Sequence, residues 1–239
     1  DMNQLPRTSA KDLLNYGLLG WALGAVAVPI YIQVPYLYSR IYEVPSAWVG
    51  IILLLSRLLD AVLDPAIGLW VDRRSGQGNR YALPLLLAVP LLLLGMAGVF
   101  FPVGGTPTEY AASLMVSLIV VHLGYSFASI AYQAWGAELG HTDKERSTYV
   151  AVREGVGILG VVFAVSLALE TNAGLIFTVF AIMLILGMFL LLKFSPQPDR
   201  TAQQAASPFA ETFNNAQASA AAAIRKGFAD IVQPLRRQN

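Results

Sequence analysis

At 239 residues with 56% apolar and 13% charged residues, the chain carries about half the charge of an ordinary soluble domain, and its composition is that of a membrane-embedded protein. Without cysteine it has no disulfide framework, thiolate metal site or cysteine nucleophile. The net charge of +1 says little, but the lack of a basic patch interleaved with aromatics excludes nucleic acid as an expected partner.

The predicted elements give an all-α polytopic membrane protein. Residues 1–12 are polar and form an N-terminal segment without a signal-peptide pattern, which fits insertion through the first span or a chain trimmed at both ends. The first span, α1 (about 13–38), carries Gly17, Gly20 and Gly24 for close helix contact, and Pro29 and Pro35, which predict a kink. Tyr31, Gln33, Tyr36 and Tyr38 give it polar tips that can face a cavity, with interfacial anchoring the favoured reading for Tyr38.

The second span, α2 (about 46–71), holds three ionisable side chains inside an apolar run. Arg57, Asp60 and Asp64 stand at i, i+3 and i+7, so they fall within roughly 60° of one another on a helix. Each unpaired charge near the bilayer centre costs about 2.5–3.5 kcal/mol, so this face is expected to look into protein or water. Two carboxylates one turn apart repel by roughly 3 kcal/mol at an effective dielectric near 20. A shared H⁺ or Na⁺ relieves that repulsion, and Arg57 can replace it as an internal counter-ion when the site empties. Pro65 has no N–H for the Ala61 carbonyl, which leaves an oxygen beside the carboxylates. The alternative is a buried Arg–Asp pair that only locks helices together.

The third span, α3 (about 81–101), is almost purely aliphatic and reads as a lipid-facing scaffold. The fourth, α4 (about 110–135), contains His122, either a proton relay or an imidazole hydrogen-bonded to a neighbouring helix. Ser126, Ser129 and Gln133 form a polar stripe there, for a polar solute or for helix association. The fifth, α5 (about 149–169), opens with Arg153 and Glu154 just inside its start, followed by glycines. The sixth, α6 (about 173–192), is apolar throughout. Placing both ends, the α2–α3 loop and the α4–α5 loop in the cytoplasm collects fourteen of the sixteen Lys and Arg residues there, leaving Arg40 outside and Arg57 within the membrane. From Ser195 the composition becomes that of a linker. Pro208 then opens a predicted amphipathic cytoplasmic helix, so 195–239 reads as a connector.

The run Ser56–Pro65, SRLLDAVLDP, followed by Gly68, Asp72, Arg73 and Arg74, resembles the second helix and 2–3 loop of major facilitator superfamily transporters. It is similar in particular to the glycoside–pentoside–hexuronide:cation symporters, the melibiose-permease-like family. Tyr16–Gly20 at the start of α1 and Glu145, Arg146 and Arg153 after α4 match further motifs of that family, and the likeness covers residues 13–194.

The resemblance implies a cation-coupled symporter of a small polar solute, a sugar or sugar acid, in the cytoplasmic membrane. It implies one half of a twelve-helix bundle, whose partner is a missing six-helix half or a second copy, and a mechanism in which the halves rock about a central site. Asp60 and Asp64 match the paired carboxylates that bind Na⁺, H⁺ or Li⁺, and Ser126 a hydroxyl that completes their site. Leu63 replaces an amide, which favours H⁺, because protonating a carboxylate needs fewer oxygen ligands than coordinating a metal ion. No organic cofactor and no structural metal is expected. The carboxylates that grip the sugar in melibiose-type members are missing from α1 and α4, which disfavours a glycoside gripped by Asp and leaves Tyr31, Gln33, Ser129, Tyr132, Gln133 and Arg153 as candidate contacts for a polar or anionic solute. Asp72, Arg73, Arg74, Glu138 and Arg146 are candidates for a cytoplasmic gate, or else topology signals. A lipid-modifying transferase, which would need interfacial carboxylate clusters for Mg²⁺ and a diphosphate, and a non-transporting membrane scaffold are the rival readings.

Overall fold

A computed structural model describes residues 9–72, 81–140 and 142–196. Among these, six helices are long and apolar enough to cross a membrane: α1 Ala10–Arg40, α2 Ser46–Asp72, α3 Ala82–Phe100, α4 Pro107–Leu139, α5 Asp143–Ser166 and α6 Leu169–Phe194. The amphipathic helix expected after Pro208 lies outside the described residues.

Local chemistry sets the ends. Ser9 and Asp12 form a capping box that starts α1. Thr106 and Glu109 form another, with Pro107 in the first turn, so α4 begins before the apolar run does. Thr106→Ala is expected to cost about 1 kcal/mol of stability, read as a lower melting temperature in detergent. The Thr142 hydroxyl accepts from the Glu145 N–H and starts α5 at Asp143, six residues earlier than the apolar pattern indicates. Arg153 therefore lies ten residues into α5, about 15 Å along its axis at 1.5 Å per residue. The sequence expectation placed it just inside the helix start, and the polar first turns account for the difference.

The irregularity foreseen at Pro29 is a π turn over Pro29–Gln33, in which the Val34 N–H bonds the Pro29 carbonyl. Proline removes one donor from the ladder, and the wider turn keeps the helix continuous. Pro65 is accommodated inside α2.

α1 packs most extensively on α5, and α3 on α4. Glycines make both contacts possible. On α1, a Cβ at Gly20 would stand 2.6 Å from the Arg153 carbonyl oxygen, and one at Gly24 would collide with the Gly157 carbonyl. Reciprocally, a Cβ at Gly160 would collide with the Trp21 carbonyl. On α3, a Cβ at Gly95 would meet the Val121 backbone N at 2.7 Å, and Gly124 of α4 faces Leu92 as closely. Small residues permit such backbone approach, which is how helices associate where lipid supplies no hydrophobic drive.

One expectation is extended and one corrected. α3 exposes Leu83, Leu86, Leu87 and Leu94 as a lipid-facing helix would, while Leu85, Ala88, Leu92, Met96 and Val99 form a buried stripe against the bundle. Tyr38 is fully buried rather than interfacial, and its hydroxyl donates to the Val99 carbonyl at 3.1 Å, tying the end of α1 to α3.

Candidate functional site

α2 leans on α4, and this contact selects which carboxylate turns inward. Asp60 is buried, whereas Asp64 is exposed on the surface of the six-helix unit. The Ser126 hydroxyl donates to Asp60 Oδ1 at 2.9 Å. On the other oxygen, Oδ2, Arg57 Nη1 and His122 Nδ1 each stand at 3.5 Å. His122 precedes Ser126 by four residues, so both project from the same face of α4. The imidazole is buried, and its Nε2 has no hydrogen-bond partner among the described residues.

The Arg57 side chain is 60% exposed and its guanidinium lies 4.6 Å above the centre of the Tyr31 ring. A half-solvated pair of this kind adds only about 0–1 kcal/mol to stability. Arg57 is thus a loosely held counter-ion, whereas Ser126 is a firm one-donor support for Asp60. The expectation of a cation shared between Asp60 and Asp64 meets an unequal pair, one acid held in a polar nest and one outside it.

A cavity of about 70 Å³ opens beside Asp60, walled by Tyr31, Arg57, His122 and Tyr125 with Val26 and Ile30. The Tyr31 hydroxyl, like His122 Nε2, is buried without a hydrogen-bond partner among the described residues. Two unsatisfied polar atoms around one small polar cavity are the setting in which buried water is held.

A second cavity, of about 180 Å³, lies between α1, α4 and α5, lined by Gly20, Gly24, Tyr125, Ser129, Tyr132, Gln133, Arg153 and Glu154 among others. Tyr125 borders both cavities. Four of the residues singled out for solute contact, Ser129, Tyr132, Gln133 and Arg153, therefore come together. The Tyr132 hydroxyl is turned away, donating to the Tyr16 carbonyl at 2.6 Å while Tyr16 returns a bond to the Tyr132 carbonyl at 3.1 Å. Tyr132→Phe is expected to cost about 1 kcal/mol of stability and to leave solute affinity unchanged, which melting and binding curves on one preparation will show.

Tyr31 and Gln33 stand elsewhere. Tyr31 belongs to the Asp60 cavity. The Gln33 amide donates to the Ala164 and Leu167 carbonyls at 2.9 and 3.1 Å, satisfying the end of α5. It borders a separate cleft of about 440 Å³ with Tyr36 and Glu170.

Two of the five candidate gate residues, Glu138 and Arg146, have described side chains. Glu138 accepts from the Tyr81 hydroxyl at 2.6 Å, and the Arg146 Nε donates to the Gly140 carbonyl at 3.1 Å. The Asp72 side chain and residues Arg73 and Arg74 lie outside the described residues.

Residues 14–218 match the family model described as MFS/sugar transport protein. The chain belongs to that family. An uncharacterized symporter of Bacillus subtilis, YjmB, is 27% identical over 164 residues, covering 68% of this chain and 36% of that protein. A putative glycoside/cation symporter of Escherichia coli, YagG, is 28% identical over 144 residues, covering 59% of this chain and 31% of its own length. A third relative, the inner membrane symporter YicJ of Escherichia coli, is 29% identical over 73 residues, covering 30% and 16%. The chain thus spans about a third of the first two. These names agree with the glycoside–pentoside–hexuronide symporters within the MFS group, and an MFS-family chain with six apolar helices among its described residues is an integral membrane protein.

Proposed function

We propose that this chain is the N-terminal half of a cation-coupled symporter that moves a small polar solute across the cytoplasmic membrane, with both of its ends in the cytoplasm. A further six-helix half, or a second copy, completes the transporter within the lipid bilayer. The single observation that carries the reading is the buried Ser126–Asp60 hydrogen bond beside a cavity that shares Tyr125 with the larger solute cavity. One aromatic side chain touching both sites gives solute and ion a common wall, which is what coupling requires: each must alter the free energy of the other.

The coupling ion is H⁺. Around Asp60 stand one hydroxyl, an imidazole nitrogen and a guanidinium, with Leu63 where the resemblance supplies an amide oxygen and Asp64 outside the nest. Alkali ions are hard and take several oxygens, whereas a proton needs one carboxylate and an acceptor nearby. When Asp60 is neutralised, Arg57 loses its partner and is free to swing. That change of charge pairing gives the two halves a reason to rock.

The reading is tested with the full-length protein in sealed vesicles, over a panel of labelled glycosides and sugar acids. Uptake of at least one solute is expected to rise with an inward proton gradient and to collapse on adding a protonophore. Uptake indifferent to the proton gradient for every transported solute would reject it.

A further inference from the structure

Among the described residues lining the 180 Å³ cavity, only Arg153 and Glu154 are charged, and they cancel. Neighbours in sequence point about 100° apart on a helix, yet here their head groups converge. Arg153 Nε and Nη2 both reach Glu154 Oε1, at 3.1 and 2.7 Å. The fork is lopsided. One carboxylate oxygen takes both donors, while no hydrogen bond to Oε2 from the described residues accompanies them. The Arg153 side chain is 16% exposed and that of Glu154 65%, so the guanidinium is seated while the carboxylate, on a residue that lines the cavity, is open to solvent. Because α5 begins at Asp143, the pair sits nearly three turns inside the helix, level with Gly20 and Gly24 of α1 and Ser129 and Gln133 of α4.

The geometry points to Glu154 as the solute-binding carboxylate of this transporter and as the residue that selects net-neutral polyhydroxy solutes against anionic ones. This rests on the reading of the 180 Å³ cavity as the solute site. A vicinal diol suits a neighbouring acceptor and donor: one hydroxyl donates to Glu154 Oε2 and the other accepts from the remaining N–H groups of Arg153. Ser129 and Gln133 supply neutral partners for further hydroxyls. A solute carboxylate, by contrast, must displace Glu154 from Arg153 and then lie beside it, like charge against like. Glu154 thereby supplies from α5 the acid that α1 and α4 lack.

The test is equilibrium binding to the full-length protein in detergent, without an ion gradient, using methyl glycosides of glucose, galactose and xylose and the matching glucuronate and galacturonate. The wild type is expected to bind a neutral glycoside more tightly than its uronate. Glu154→Gln should weaken the glycoside about tenfold and narrow or reverse the preference, since hydrogen bonds to a charged group are the strong ones. Glu154→Asp, which retains the charge, should keep the preference. The exposed position leaves the unliganded melting temperature of both variants unchanged, so a loss of affinity is not a loss of fold. An unaltered preference in Glu154→Gln, a wild type that favours uronates, or no binding of either class would overturn the assignment. Because no gradient is involved, such a failure is separate from a failure of proton coupling, which Asp60 variants report.

Discussion

Asp60→Asn is expected to abolish proton-driven accumulation by the full-length transporter while leaving downhill entry of the same solute. The amide can still accept from Ser126, so the nest around residue 60 stays filled, but it takes no proton and no longer offsets Arg57. What is lost is the exchangeable proton and the negative charge, so accumulation above equilibrium should disappear while the hydrogen bond from Ser126 remains. Asp64→Asn is expected to do much less, because Asp64 is exposed and lies outside the Ser126 and His122 contacts. Steady-state accumulation ratios in energised vesicles distinguish the two. Equal loss in both variants would mean that the acids act as an equivalent pair, and full accumulation in Asp60→Asn would remove Asp60 from the coupling path.

Gly160→Val is expected to be the most destabilising change in the bundle. Any Cβ at this buried position collides with the Trp21 carbonyl, and backbone cannot move aside as a flexible side chain can. Valine adds branching to the collision, so α5 must lift from α1 along the seam that also contains Gly20, Gly24 and Gly157. Overpacking commonly costs 1–3 kcal/mol, and with a backbone atom as the obstacle about 3 kcal/mol or more is expected. The pair Arg153–Glu154 rides on the same helix, so solute binding should fall with stability. Gly155→Ala is the control: nothing lies within 4 Å of its added Cβ, and the change should stay within about 0.5 kcal/mol. Melting temperatures in detergent decide this, and a Gly160→Val protein that melts with the wild type would contradict the described α1–α5 contact.

Much of the architecture is legible from residues alone because each span is an apolar run of membrane length. The ends were harder to read. Thr106 and Thr142 start α4 and α5 through polar first turns that an apolar pattern passes over, although Thr106-Pro107 with Glu109 is a readable capping signal. Two further features were out of reach for physical reasons. An evenly aliphatic helix such as α3 has no polar face to announce which stripe is buried, so its contact with α4 depends on where Gly95 and Gly124 permit approach. Spacing likewise places Asp60 and Asp64 near one face of α2 but does not fix the rotation of that helix, which packing on α4 decides.

At the candidate site, Asp60 with Ser126 was indicated by the family resemblance, and the structure puts them in contact. The family motif reaches Arg153 but not Glu154, and spacing alone does not show that both line one cavity. The signal available was its adjacency to Arg153. Gln33 and the Tyr132 hydroxyl look equally suited to solute in the sequence, and only the course of the backbone shows that carbonyls of α5 and α1 claim them.

The claim that Asp60 holds the transported proton is tested most directly by infrared difference spectroscopy on the full-length protein as pH is lowered, in the wild type and in the two asparagine variants. The stretching band of a protonated carboxyl group should grow in the wild type, persist in Asp64→Asn and vanish in Asp60→Asn. A band that survives in Asp60→Asn, or that Asp64→Asn alone removes, would contradict the account.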